Sequence, residues 1–200
     1  GGTRIFNKTH TNNTSADQGG FAEENGQLIY VSRIRAWLVG VGNLTSDLDF
    51  SATDANATMF PPVMHRGDIY VGSGSNATTG RIFKRAAGTW TNTVLPTELL
   101  VVGPQRLYRS YQDSSSFYKV QNCALDADPT VVANWGGTID VGPSTDPING
   151  MAFDGADLVI TKASGVYTVD TDGNLFNWTQ ELQSNTINGK GATNCLGYII

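Results

Sequence analysis

The chain has 200 residues, of which 40% are hydrophobic, so it is long enough and apolar enough to bury a core. Only 16% of the residues are charged, the net charge is −5, and the 13 Lys and Arg residues are spread along the sequence. This spacing excludes the clustered cations of a nucleic-acid-binding surface, and no apolar run approaches the length of a membrane span. The 23 Gly, together with abundant Asn, Thr and Ser, favour short strands and tight turns over helices.

An apolar pattern typical of a short strand recurs at intervals of roughly 40 residues. The five recurrences lie at 27–31, 68–71, 106–109, 157–160 and 197–200. After a few turn residues, a second strand is predicted at 36–39, 81–84, 117–120 and 165–169. A third element carries an aromatic residue, which is Phe50, Trp90, Trp135 or Trp178. Lead-in strands such as 147–153 complete a unit of three or four antiparallel strands.

A four-stranded sheet cannot bury both of its faces by itself, whereas radial stacking of such sheets covers both faces. The repeat therefore predicts an all-β fold, a β-propeller or a propeller segment built from four-stranded antiparallel blades. A β-sandwich is the alternative, because evenly spaced strands occur there as well. The single β-repeat domain, 1–200, is predicted to divide into blades at approximately 1–60, 61–103, 104–146 and 147–190, with a further blade starting at 191–200.

The fifth unit stops at Ile200, just as its strand pattern opens. This predicts that the 200 residues are part of a longer chain. The alternative is ring closure, in which a strand at 2–6 pairs with the last strand of the sequence.

The sequence offers no pattern for a metal or a cofactor. His10 and His65 are isolated, and Cys123 and Cys195 lie far apart, so that two buried thiols are expected and a disulfide between them stays open. The run at 170–174, together with Glu181, imitates a calcium loop, but its Gly is misplaced and its flanks alternate like strands. A hairpin turn is the better interpretation of this run.

No nucleophile elbow, phosphate loop or dinucleotide motif is present, so no catalytic residue is predicted. Acid pairs for glycoside hydrolysis stay open, although turn and loop roles are expected for the candidates Asp47/Asp49, Asp126/Asp128 and Asp154/Asp157. Aromatic residues could provide sugar-stacking platforms, but core packing between blades is expected for Trp37, Trp90, Trp135 and Trp178. Sialidase-type turns are only loosely similar to the segments ending at Trp90 and Trp178, so no activity is carried over from them.

The units resemble those of β-propeller proteins found in tailed-phage virions. The resemblance is clearest over 147–178, where an apolar strand and a turn are followed by Gly-Val-Tyr-Thr-Val-Asp, and it extends over most of the chain from Leu28 onward. It implies a tail or surface protein with a structural or host-attachment role.

The expected function is therefore that of a non-enzymatic structural or attachment component, located in a virion or outside the cell. Its expected partners are other virion or assembly proteins and a surface glycan, without nucleic acid. The alternative is an extracellular propeller enzyme that processes glycans, similar to a glycosidase or sialidase.

Overall fold

The computed structural model describes residues 19–177, except 33, 56–58, 75–78 and 112–116, and the backbone of 194–195 and 198–199. The described chain is built almost entirely of strands, because alternating apolar positions are separated by turns every few residues. Two single-turn 3₁₀ helices, Phe50–Ala52 and Val132–Asn134, are the exceptions. No helix in this part of the chain is long and apolar enough to cross a membrane.

Sixteen of the described strands form four antiparallel sheets of four strands each, here called blades 1 to 4. Blade 1 consists of β1 (Gly20–Glu24), β2 (Gln27–Val31), β3 (Arg35–Gly40) and β4 (Asn43–Asp49). Blade 2 consists of β5 (Val63–His65), β6 (Asp68–Gly72), β7 (Arg81–Ala86) and β8 (Thr89–Val94). Blade 3 consists of β9 (Leu100–Val102), β10 (Arg106–Ser110), β11 (Lys119–Ala124) and β12 (Trp135–Asp140). Blade 4 consists of β13 (Ile148–Asp154), β14 (Asp157–Lys162), β15 (Gly165–Val169) and β16 (Leu175–Asn177).

Strands follow one another in chain order across every blade, and the four blades are arranged as a β-propeller. The first strands of successive blades contact one another at the centre of the arrangement. The predicted fold class is thus confirmed, and the β-sandwich is excluded. A final hairpin, β17 (Asn194–Cys195) with β18 (Tyr198–Ile199), lies against β13. The pairing predicted for 2–6 lies outside the described residues.

The recurring apolar pattern marks the second strand of each blade, and the aromatic element marks the fourth strand or the segment after it. The third blade begins at Leu100, whereas the sequence-based division places a boundary between 103 and 104. The reason is that β9 has only three residues and directly follows the connection from blade 2, so its apolar run merges with that connection. In the same blade, β11 begins at Lys119, two residues later than predicted.

Among the described residues, three apolar layers lie between neighbouring blades. The layer between blades 1 and 2 contains Ile29, Val31, Phe50, Ile69, Val71 and Phe83. The layer between blades 2 and 3 contains Tyr70, Ile82, Leu107, Cys123 and Trp135. The layer between blades 3 and 4 contains Tyr108, Val120, Leu158, Ile160, Tyr167 and Val169. Each layer takes side chains from both sheets, so the blades stabilise one another.

Gly72, at the end of β6, lies against the backbone that connects blade 2 to blade 3. A Cβ atom at this position would lie 2.6 Å from the carbonyl oxygen of Thr97 and 2.7 Å from that of Glu98. These atoms belong to the backbone and cannot rotate away, so any side chain here would force the connection outward.

We therefore expect Gly72→Ala to lower the free energy of unfolding by about 1–3 kcal/mol, the cost of overpacking a close-packed site. Gly136→Ala is the matched control, because a Cβ atom on Gly136 in β12 meets nothing within 4 Å. Urea unfolding of both variants measures the difference. Equal stability of the two variants would contradict the close approach at Gly72.

Candidate functional site

The adjacent cations Lys84 and Arg85 on β7 point to opposite faces of blade 2, because side chains alternate along a strand. Arg85 reaches back to blade 1, and Lys84 reaches forward to blade 3. Each therefore meets different partners, and the basic pair in the sequence becomes two separate sites.

Arg85 is only 5% exposed and lies in a cluster of polar and charged groups between blades 1 and 2. Its guanidinium donates to the carboxylate of Glu24, and its Nε lies 2.8 Å from Oδ2 of Asp47. The indole Nε1 of Trp90 donates to the same Asp47 oxygen at 2.6 Å, and the amide of Gly88 donates to Glu24 at 3.2 Å. We call these four side chains, Arg85, Glu24, Asp47 and Trp90, the Arg85 cluster. Because its charges are buried and paired, it holds two blades together.

We expect Arg85→Ala to cost about 3–5 kcal/mol of unfolding free energy, since it leaves the buried carboxylate of Glu24 without its cation. Arg35→Ala provides the control. Arg35 and Asp49 form a similar pair at 2.9 Å, but their side chains are 40% and 36% exposed. This exposed pair should contribute about 1 kcal/mol or less. Chemical denaturation measures both, and similar losses would refute a special role for the Arg85 cluster.

Lys84 organises a polar site between blades 2 and 3. Its ammonium lies 3.2 Å from a carboxylate oxygen of Asp68 in its own blade. It also lies 3.3 Å from Oδ2 of Asp128, in the connection between β11 and β12 of blade 3. The ring of Tyr70 is 5.6 Å from the same nitrogen, close enough for a cation–π contact.

The charged groups of this site stabilise one another's ionised forms. Burial alone would lower the pKa of Lys84, but its hydrogen bonds to Tyr70, Asp68 and Asp128 outweigh burial and raise the pKa. Burial alone would raise the pKa of Asp128, but hydrogen bonds from Thr130 and Lys84 outweigh it and lower the pKa. Burial raises the pKa of Tyr70, so its hydroxyl keeps its proton at neutral pH. The site thus contains fixed charges of both signs and a neutral phenol.

A cavity of about 270 Å³ opens beside these groups. We call it the blade 2–3 cavity, and its wall is formed by Arg66, Asp68, Tyr70, Lys84, Ala127 and Asp128. It is an open, polar recess at the rim of the apolar layer between the two blades. Hydrogen-bonding groups from both blades converge on this recess.

Arg66 reaches this cavity from a strained position in the hairpin between β5 and β6. Arg66 has a φ of 54° and Gly67 a φ of 85°, the two positive angles of a type I′ turn. Asn or Gly is favoured at the first of these positions, as at Asn25 in the β1–β2 hairpin. The guanidinium of Arg66 donates to the backbone carbonyl of Asp126 in blade 3. The side chain of Arg66 thus spans the cavity mouth.

His65 lies behind the site and is 5% exposed, with its ring 5.9 Å from that of Tyr70. Its Nε2 has no hydrogen-bond partner among the described residues. Burial is the largest influence and lowers its pKa, and the charge of Arg66 lowers it further. The carbonyls of Ala127 and Leu125 and the charge of Asp128 oppose this shift without reversing it. His65 is therefore neutral in the folded protein at neutral pH.

This environment predicts a pH dependence of stability. The unfolded chain takes up a proton at His65 as the pH falls below about 6.5, while the folded chain resists it. The free energy of unfolding should therefore fall from pH 6.5 down to the lowered pKa, by at most about 1.4 kcal/mol per pH unit. His65→Gln should flatten the profile of denaturation midpoints in this window. A slope that survives in His65→Gln but vanishes in His10→Gln would contradict the assignment.

Three of the Asp residues that the sequence offered as candidates for a catalytic acid pair make hydrogen bonds or ion pairs within the fold. Asp47 belongs to the Arg85 cluster, and Asp49 pairs with Arg35 and accepts from the amide of Ser51 at 3.0 Å. Asp128 accepts from both the amide and the hydroxyl of Thr130 at 2.8 Å and pairs with Lys84.

The other candidate acids lie at turns or use their backbone. Asp126 contributes its backbone carbonyl to Arg66. Asp154 and Asp157 are exposed cross-strand neighbours in the β13–β14 hairpin. The Asp170 carboxylate accepts from the amides of Asp172 and Asn174, which makes the run at 170–174 a hairpin turn. Glu181 lies outside the described residues.

Trp90 and Trp135 pack in the apolar layers between blades, as the core interpretation expects. Trp37 and Trp135 are each 7% exposed, and the indole of Trp135 donates to the carbonyl of Pro129. The Arg109 guanidinium covers Trp135 at 5.2 Å. Trp90 packs edge-on against Phe50, with ring centroids 5.2 Å apart. Trp178 lies outside the described residues.

Cys123 is a free, buried thiol, and burial raises its pKa. The side chain of Cys195 and all of His10 lie outside the described residues. Among the described residues, no group of His, Cys, Asp and Glu side chains converges as a metal site would require.

Sequence reasoning did not find the blade 2–3 cavity. Its residues come from the β5–β6 hairpin, from β7 and from a connection some forty residues later. Two signals were available: the adjacent cations Lys84 and Arg85, which point to opposite faces of a strand, and Asp128 in the candidate acid pair Asp126/Asp128.

Comparison with known proteins supports the fold. No protein-family model matches the sequence, and no curated protein matches it. A streptogramin B lyase structure superposes with a TM-score of 0.66 and 14% identity over 94% of this chain and 63% of the lyase. Virginiamycin B lyase from Staphylococcus aureus gives a TM-score of 0.65 and 12% identity over 88% of this chain and 59% of the lyase. The extracellular domain of a one-component system from B. thetaiotaomicron gives a TM-score of 0.61 and 13% identity over 96% of this chain and 27% of that chain.

The chain thus spans about three fifths of the length of the two lyases. At such low identity these likenesses show the β-propeller fold alone.

Proposed function

We propose that this chain is a non-enzymatic propeller module that serves as a structural or attachment component of an extracellular assembly, such as a virion. In this role it contacts other proteins of the assembly and surface glycans. The observation that carries the proposal is the use of its carboxylates. In the described chain, Glu24, Asp47, Asp49, Asp128 and Asp170 are bonded to cations or backbone amides of the fold.

Electrostatics also favour binding over glycoside hydrolysis. A hydrolase of this kind needs one carboxylic acid with a raised pKa to protonate the leaving group. Hydrogen bonds from Ser51 and Arg35 lower the pKa of Asp49 despite its partial burial. Hydrogen bonds also lower the pKa of Asp128 and Asp170. These shifts are opposite to the one that a general acid needs.

The extracellular location rests on the resemblance of the repeat units, clearest over 147–178, to those of virion propellers. The acidic net charge and the scattered cations agree with a partner other than nucleic acid.

The proposal predicts no turnover of glycosides. We expect the full chain to release no chromophore above the protein-free rate from 4-nitrophenyl glycosides of common hexoses or from a 4-methylumbelliferyl sialoside. Sustained release that is abolished by replacing an Asp with Asn would overturn the proposal and favour the glycan-processing enzyme.

The location is tested on the assembly itself. Mass spectrometry of salt-washed virions from the source should detect the chain in fixed proportion to the other particle proteins. Its absence from washed particles, with the chain present in the cell lysate, would refute the virion role.

A further inference from the structure

The blade 2–3 cavity is an open recess whose wall takes polar side chains from two blades. We propose that it is a binding site for one neutral sugar residue, a pyranose ring with several hydroxyl groups. The inference rests on the proposed function, because that function takes a glycan as a partner. It adds the location of the binding site and the chemical class of the ligand.

The charges around the cavity select a neutral ligand. Two cations, Arg66 and Lys84, stand beside two carboxylates, Asp68 and Asp128, so the formal charges of the wall cancel. A charged ligand of either sign would meet a group of its own sign at close range, which is unfavourable. A sugar hydroxyl both donates and accepts hydrogen bonds, and it can therefore use the ammonium, the guanidinium and the carboxylates together.

The polar groups are fixed before any ligand arrives. Lys84 is held between Asp68 at 3.2 Å and Asp128 at 3.3 Å. Asp128 is held in turn by the amide and hydroxyl of Thr130, each at 2.8 Å. Because these side chains are already ordered, a ligand does not have to order them, and this favours binding.

The side chain at Arg66 gives a second argument. Arg66 has a φ of 54°, and Ala87 occupies the same turn position of the β7–β8 hairpin with a φ of 48°. The turn itself therefore marks no site, and what distinguishes Arg66 is where its long side chain reaches. At this position the guanidinium reaches both the Asp126 carbonyl and the cavity.

The size of the cavity fits a single ring. Its volume of about 270 Å³ lies just below the roughly 300–1,000 Å³ of sites for drug-sized ligands. A longer glycan would therefore place one residue in the cavity and extend from its open side.

The test is a titration of the full chain with the methyl glycosides of glucose, galactose, mannose and N-acetylglucosamine, followed by NMR. We expect at least one of them to bind with a Kd on the order of 1 mM, as suits a ligand of this size. Arg66→Asn should weaken that binding by about tenfold or more. Because Asn suits the turn, the melting temperature of this variant should not fall by more than a few degrees.

Ala87→Asn is the matched control, because Ala87 occupies the same turn position in the β7–β8 hairpin, with a φ of 48°, and does not line the cavity. It should bind the sugar as the unchanged protein does. The site is overturned if none of the four glycosides binds, if Arg66→Asn binds as tightly as Ala87→Asn, or if inorganic phosphate or glucosamine binds more tightly than every neutral glycoside. Turnover of a methyl glycoside would instead overturn the proposed function, and the Arg66→Asn titration would still decide the site.

Discussion

The structure depends on one constraint, that the apolar face of a blade needs a neighbouring sheet to cover it. The third strand of blade 2, β7, shows how the sequence covers two neighbouring sheets at once. Ile82 and Lys84 point toward blade 3, while Phe83 and Arg85 point toward blade 1. Apolar and cationic side chains of this strand thus share each of the two interfaces. Alternation along a single strand therefore supplies both the core and the polar contacts of two interfaces.

The two interfaces of blade 2 use their cations differently. The Arg85 cluster is buried and pairs its guanidinium with two carboxylates, so it joins blade 2 to blade 1. Lys84 is also paired with two carboxylates, but it borders an open recess of about 270 Å³. The difference arises from the connection after β11, which carries Asp128 to the edge of the interface. One face of blade 2 thus carries a stabilising ion-pair cluster, and its other face borders the proposed ligand site.

The same constraint explains why very different sequences share this fold. The interfaces between blades require only apolar alternation and tight turns, which many sequences provide at 12–14% identity. The loops and rim residues are free to vary, and function depends on them. Here Asp47, Asp49 and Asp128 are paired with cations of the fold, while the cavity combines charges of both signs.

The sequence by itself determined the fold class, because strand alternation, turn chemistry and the repeat of roughly 40 residues are local and periodic. It also indicated the packing of Trp90 and Trp135 and the turn at 170–174, since each follows from residues close together in the chain. Only the tertiary structure decided that the Arg85 cluster and the blade 2–3 cavity exist. Lys84 and Asp128 are distant in sequence, and their meeting depends on how far the β11–β12 connection extends over the neighbouring blade. That distance is set by packing between sheets, and no local pattern encodes it.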